Sequence, residues 1–267
     1  MQKPDRPTFP LAIGDGVPFV FVCISMLISR FARHVSGVLF TCNRAIPPFD
    51  LNTTQKHEVY PFDQLIPPSV MAMLKAPATV LCKAGADQLA KWREAKVYPV
   101  YVLDTFTQLM HQKLKAKLRQ IQILLYLSLI VKLRDVLSRP ASMATIKKQL
   151  KADLAAPEQV VVGLVERFAT VTENESGEVD QEKLKYRMSG FQKDLTISYV
   201  LVLGMASDDY RAVPVATLAS DMTLTDKKTR DYFRSLGCKV KSGSATSPTT
   251  AELQAPLKFP MRMAQAR

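Results

Sequence analysis

Residues 143–188 read MATIKKQLKADLAAPEQVVVGLVERFATVTENESGEVDQEKLKYRM, and this stretch decides the fold. Met143 to Leu154 has the apolar spacing of a short helix. Pro157 opens a second helix, running to Phe168, because proline is preset for a first helical turn and lacks only an N–H that has no partner there. Val165 to Thr172 then turns strand-like, Glu173-Asn-Glu-Ser-Gly-Glu178 is a polar loop, and Leu184 to Met188 predicts a returning strand. Upstream, Val100 to Leu137 is helical in pattern. Its Leu114, Leu118, Ile121, Leu125, Leu129 and Leu133 are spaced 4, 3, 4, 4 and 4 apart, which predicts one apolar stripe, and Arg139-Pro140 ends it. The order is therefore helix, helix, helix, strand, loop, strand: a helix-turn-helix with a hairpin wing.

A second copy of this order begins at Leu195 to Met205. Val215 to Asp221 predicts a helix, and Thr225 can cap a third, Asp226 to Leu236, with Asp226 well placed in its first turn and Gly237 stopping it. Cys238 to Lys241 and Glu252 to Leu257 can pair as a hairpin around SGSATSPTT. The two copies share pattern and no obvious sequence identity. The expected class is mainly α with small β-hairpins (α+β), a tandem winged-helix domain preceded by an extended linker. The expected organisation is an atypical apolar N-terminal segment at 1–45, a linker with short helices at 46–109, and winged helices at 110–190 and 194–260. The linker reading rests on five prolines between residues 46 and 69, with little periodicity. Short helices fit Ser69 to Leu74 and Gly85 to Lys91, and Trp92, Tyr98 and Tyr101 are candidate anchors. The apolar run VPFVFVCISMLI at 17–28 is too short for a membrane helix and lacks the flanks of a signal peptide, so a buried strand or helix is expected.

The chain has 267 residues, 47% of them hydrophobic, which excludes wholesale disorder. Its formal net charge of +12 favours a polyanionic partner. Cys23, Cys42, Cys82 and Cys238, like His34, His57 and His111, are scattered, so no zinc-ligand spacing exists and buried thiols are expected. No metal or other cofactor is expected. Neither GxSxG, P-loop, HExxH nor a Rossmann glycine pattern occurs, and Asp208-Asp209 reads as a helix end or turn. No catalytic residue is assigned.

The charge is not evenly spread. From Lys113 to Lys151 there are ten basic residues and one acidic residue, Asp135. Lys147, Lys148 and Lys151 share a turn of the helix that crosses the backbone in a helix-turn-helix, so they are candidate phosphate contacts, against a plain solvated face. The recognition helix of the first unit carries Glu158 and Glu166 against Arg167 alone, which argues against base reading there. In the third helix of the second unit, Lys227, Lys228, Arg230 and Arg234 face Asp226 and Asp231, and Lys239 and Lys241 follow on the next strand. The first wing offers Lys183, Lys185 and Arg187, alternating with Leu184 and Tyr186, so the basic side chains share a strand face. All of these are candidate DNA contacts of low sequence specificity, dominated by phosphate.

Several segments, in order, resemble the forty-nine-kilodalton subunit family of RNA polymerase I, a polymerase-associated factor in animals. They are Val59-Tyr-Pro-Phe-Asp-Gln-Leu-Ile66 with Met71 to Pro77, Tyr101-Val-Leu-Asp-Thr-Phe106, and then Asp194-Leu-Thr-Ile-Ser-Tyr-Val-Leu-Val-Leu203. Leu218-Ala-Ser-Asp221, Leu236-Gly-Cys-Lys239 and Ala255-Pro-Leu-Lys-Phe-Pro260 complete the series. The resemblance implies a tandem winged-helix domain beside the polymerase cleft, core polymerase I subunits and DNA as partners, no membrane, a nucleolar location in the nucleus, and a non-catalytic role in initiation and elongation of ribosomal RNA. It also implies a β-rich N-terminal module that pairs with a smaller subunit. Residues 1–43 depart from that module in length and pattern, so the heterodimer partner is an expectation of the family that this stretch does not carry. Two other functions compete. One is a winged-helix pair that binds protein without touching DNA. The other, a sequence-specific repressor, is disfavoured by the acidic first recognition helix.

Overall fold

Short turns punctuated by proline open the described chain, and long apolar helices follow. The computed structural model describes residues 44–110, 114–172, 184–243 and 248–259. The first elements are α1 (Lys56–Val59), α2 (Phe62–Leu65), α3 (Pro68–Leu81), α4 (Ala86–Glu94) and α5 (Val100–Leu109). One series then runs α6 (Leu114–Val136), β1 (Ala141–Ser142), α7 (Met143–Leu154), α8 (Glu158–Phe168), β2 (Thr170–Thr172) and β3 (Lys185–Arg187). A second runs α9 (Gly190–Ser207), β4 (Val213–Pro214), α10 (Val215–Asp221), α11 (Asp226–Ser235), β5 (Cys238–Lys241) and β6 (Thr250–Leu253). The class is mainly helical with small antiparallel sheets.

Both series follow one order, helix–strand–helix–helix–strand–strand. Their sheets match as well, β1-β3-β2 and β4-β6-β5, each with the last strand in the middle. The sequence reading lacked β1 and β4. Each is two residues long, which leaves no alternation to detect. The last strand is also shorter than Glu252 to Leu257 suggested: pairing covers Thr250 to Leu253, with Cys238 opposite Leu253 and Lys241 opposite Thr250.

Local chemistry fixes the helix ends. Ser142 Oγ accepts from the N–H of Thr145 at the start of α7, and Ser189 and Gln192 cap α9 reciprocally. Thr225 Oγ1 accepts from the N–H of Lys228 at the start of α11. At the other end, Gly237 takes a φ of +78°, and a Cβ there would lie 2.3 Å from Leu257. Conformation and space both require glycine at this stop.

The predicted stripe on α6 understates its burial. Every residue from Ile121 to Val131 is buried, because α9, α3 and α7 all pack on this helix. Every residue from Thr196 to Ser207 of α9 is buried too. A helix apolar all round is one enclosed on all sides, so the two first helices of the series form a central pair. The hydroxyl of Ser128 is satisfied inside that pair by the carbonyl of Leu124. Tyr101, an expected anchor, donates its hydroxyl to the carbonyl of Gly204 at 2.8 Å. Trp92 meets Tyr98 edge-on at 5.1 Å, so these two rings pack on each other.

The segment expected as an extended linker is instead folded onto the helices. Val59, Tyr60, Leu65 and Ile66 are all fully buried. The hydroxyl of Tyr60 donates to the carbonyl of Leu236 at 2.8 Å, and that of Ser198 to the carbonyl of Ala45 at 2.6 Å. Prolines interrupt periodicity without preventing burial, and that is why the sequence pattern misled. The described residues from Ala45 onward belong to one compact unit. The apolar run at 17–28 lies outside the described residues. Among the described residues, no helix is long and apolar enough to cross a membrane.

Candidate nucleic-acid interface

Helix α11 carries four cations in ten residues, and its burial pattern explains which way its charges point. Thr229 and Phe233 are buried against the core, so the helix has a fixed inward face. Lys227, Arg230 and Arg234, spaced by three and four, share one flank of the outward side. Lys228 stands on the opposite flank, 5.9 Å from the ring centroid of Tyr232. Arg230 is half-buried and its Nε donates to the carbonyl of Asp226, while Arg234 pairs with Asp231 at 2.8 Å. Lys227 forms no salt bridge with a described carboxylate.

On the adjoining hairpin, Lys239 and Lys241 are exposed and alternate with buried Cys238 and half-buried Val240. Lys241 is held by Glu252 at 3.1 Å, and Glu252 also receives Lys56 at 2.6 Å. The two ammonium groups keep the Glu252 carboxyl below the usual carboxylate range, chiefly through their hydrogen bonds. Lys239, opposite Glu252 in register, is left for solvent.

The first series arranges its charges differently. On α7, Lys148 and Lys151 are exposed, whereas Lys147 reaches Glu158 of α8 at 2.6 Å and holds that carboxyl below its ordinary value. The one cation on α8, Arg167, is turned inward. Its guanidinium donates to the carbonyl of Leu65 at 2.8 Å and lies 5.6 Å from the ring of Tyr199. The outward side of α8 therefore presents Glu158, Gln159 and Glu166 beside Val162 and Gly163, along an open depression of about 710 Å³ shared with Met73 of α3. On the first hairpin, Lys185 and Arg187 are exposed on one face of β3, while Tyr186 shares the other with Ala141 and Val171. Lys183 lies outside the described residues.

Much of the basic run from Lys113 to Lys151 serves packing. Lys132 pairs with Asp153 at 2.7 Å, Arg134 donates to the carbonyl of Met222, and Arg119 lies 4.6 Å from the ring of Phe62. Lys113 is outside the described residues. The sequence reading also lacked the bond from the Tyr232 hydroxyl to Asp194 at 2.5 Å, which joins α11 to the first turn of α9. No signal in the sequence pairs residues so far apart.

Among the described residues, no group of three or more His, Cys, Asp or Glu side chains is placed to hold a metal ion. Cys82 and Cys238 are buried and free, and burial pushes the Cys238 thiol up to about 12, far from a reactive thiolate. Asp208 caps the end of α9 and Asp209 turns the chain with a φ of +49°, so this pair shapes a turn.

Comparison with known proteins agrees with the resemblance seen in the segments. A family model described as A49-like RNA polymerase I associated factor matches residues 39–260. The chain is 25% identical over 235 residues to DNA-directed RNA polymerase I subunit rpa49 of Schizosaccharomyces pombe, covering 82% of this chain and 51% of that one. It is 25% identical over 210 residues to the RPA49 subunit of Xenopus laevis, covering 78% and 46%. With the Homo sapiens RPA49 subunit it shares 18% over 195 residues, covering 73% and 43%. The chain spans about half the length of the curated relatives it matches.

Proposed function

Since the chain belongs to the A49-like RNA polymerase I associated factor family, we propose that it is a non-catalytic, DNA-contacting subunit of RNA polymerase I. It acts in the nucleolus, with the core subunits, in initiation and elongation of ribosomal RNA. Residues 110–190 and 194–260 are read as two winged helices in tandem. The repeated helix–strand–helix–helix–strand–strand order and the matching sheets support that reading.

The observation that carries DNA contact is the flank of α11, where Lys227, Arg230 and Arg234 stand on the helix that enters a groove in helix-turn-helix proteins. Exposed Lys239 on the wing extends the same charge. Lys148 and Lys151 of α7, with Lys185 and Arg187 of the first wing, supply further phosphate contacts. Lys147 and Lys241, and on α11 itself Arg234, are already held by carboxylates and contribute less. The outward face of α8 favours a second task for the first unit, docking on protein, because its exposed carboxylates repel phosphate.

The test is a salt titration of duplex binding by the full chain, on two unrelated sequences. The combined Lys227→Ala, Arg230→Ala and Arg234→Ala variant weakens both duplexes alike. Its slope of log affinity against log salt flattens by about 0.9 for each phosphate no longer neutralised, so by up to about 2.7. Thermal unfolding moves little, since exposed charges contribute little to stability. Unchanged affinity and slope would overturn DNA contact by the second unit and leave protein docking as its role.

A further inference from the structure

One large apolar side chain is exposed amid cations and does nothing for the core. Phe191, in the first turn of α9, is 53% exposed. It follows β3 directly: Arg187 ends the strand, Ser189 caps the helix, and the reciprocal cap with Gln192 fixes the turn that carries the ring. Three residues further on, and so on the same side of the helix, Asp194 receives the Tyr232 hydroxyl of α11. Lys228 lies over that same Tyr232 ring. The end of the first wing and the outer side of α11 thus both adjoin the start of α9, where Phe191 is exposed. Arg187 is exposed at the end of the wing, four residues before the ring, and Lys228 is exposed on α11, whereas Lys193 turns to the other side of the helix. Asp194 is the carboxylate of the patch, and the tyrosine hydroxyl occupies it.

We propose that Phe191 is a stacking platform for an unpaired nucleobase, with phosphates held by Arg187 and Lys228. Every base offers a π-face, and single strands are bound by aromatic rings set in a basic path. A duplex keeps its bases stacked on one another and offers no such face. The site is distinct from the flank of Lys227, Arg230 and Arg234, because Lys228 and Tyr232 lie on the opposite side of α11. The ligand is therefore a single strand, or a single-stranded end next to a duplex, and sugar identity matters little to the stack. This inference rests on the proposed nucleic-acid role and adds where the unpaired strand lies.

The test uses the full chain and oligonucleotides carrying one 2-aminopurine, as single-stranded DNA, single-stranded RNA and duplex DNA. The unmodified protein quenches the single strands and leaves the duplex fluorescence unchanged. Phe191→Ala abolishes the quench and weakens single-strand binding on the order of tenfold, the loss expected for one base–aromatic stack. Its duplex affinity stays within about twofold, because the ring itself makes no phosphate contact and a duplex offers it no base face. Phe191→Leu, which keeps the apolar bulk, also loses the quench, whereas Phe191→Trp restores it. Single-strand binding and quenching indifferent to Phe191→Ala, with duplex binding intact, would overturn this inference alone. Failure to bind any of the three probes would overturn the proposed DNA contact as well.

Discussion

The third helices of the two series, α8 and α11, bury alike and expose opposite charges. Phe168 on α8 and Phe233 on α11 are both fully buried near the helix end, each leading into a hairpin. Outward, α8 shows Glu158, Gln159 and Glu166, and α11 shows Lys227, Lys228 and Arg234. The lone arginine of α8 is committed to carbonyls and a ring inside the fold. Packing demands thus hold the architecture of a unit while leaving its outer surface free to change, and two copies of one topology can face different partners.

The likeness of the two interiors gives the largest expected effects. Phe168→Ala and Phe233→Ala each lower stability by about 3–5 kcal/mol, the usual cost of emptying a buried phenylalanine site. Urea denaturation measures both. Phe168 also meets Tyr199 edge-on at 5.1 Å, so its loss is the greater. A cost below about 1 kcal/mol at either site would break the equivalence of the two cores.

Arginine use separates the surfaces. Arg167→Met strands the carbonyl of Leu65 and costs about 1–3 kcal/mol. Arg234→Met on α11 costs less than about 0.5 kcal/mol, because its pair with Asp231 is exposed. Equal losses in thermal unfolding would mean that α11's charges are as structural as α8's.

The smallest effect compares two of the carboxylates that hold candidate phosphate contacts, Glu158 on Lys147 and Glu252 on Lys241. Both have folded pKa values below their ordinary ones. Their contributions are therefore present above the ordinary carboxylate range and are lost as pH falls through the lowered folded values. Glu252→Gln makes the urea midpoint less sensitive to acid, by under about 1 kcal/mol given its exposure. An acid sensitivity identical to that of the unchanged chain would show that Lys56 and Lys241 are not tied through Glu252 in solution.

Much of this was legible in the chain because the signals are local. The prolines, the Thr225 cap and Gly237 mark helix ends within a few residues, and Cys238 to Lys241 stands as expected. The alternation that places Lys185 and Arg187 on one face also follows from neighbours. What escaped depends on distant partners or on too few residues. Nothing around Tyr60 announces a bond to Leu236, and nothing around Arg167 announces Leu65. On the site, residue type gave the cations, but only the fold separates Lys227 from Lys241, which a carboxylate already holds.

The central pair of α6 and α9 has a consequence for how the protein is made. The two helices pack on each other, yet α6 ends at Val136 and α9 begins only at Gly190. Because synthesis proceeds from the N-terminus, the side of α6 that α9 covers stays bare until α9 follows; of the helices that pack on α6, only α3 and α5 are made before α6 itself. Over that interval the nascent chain shows apolar surface that the finished fold hides, the kind of surface through which partly made chains associate.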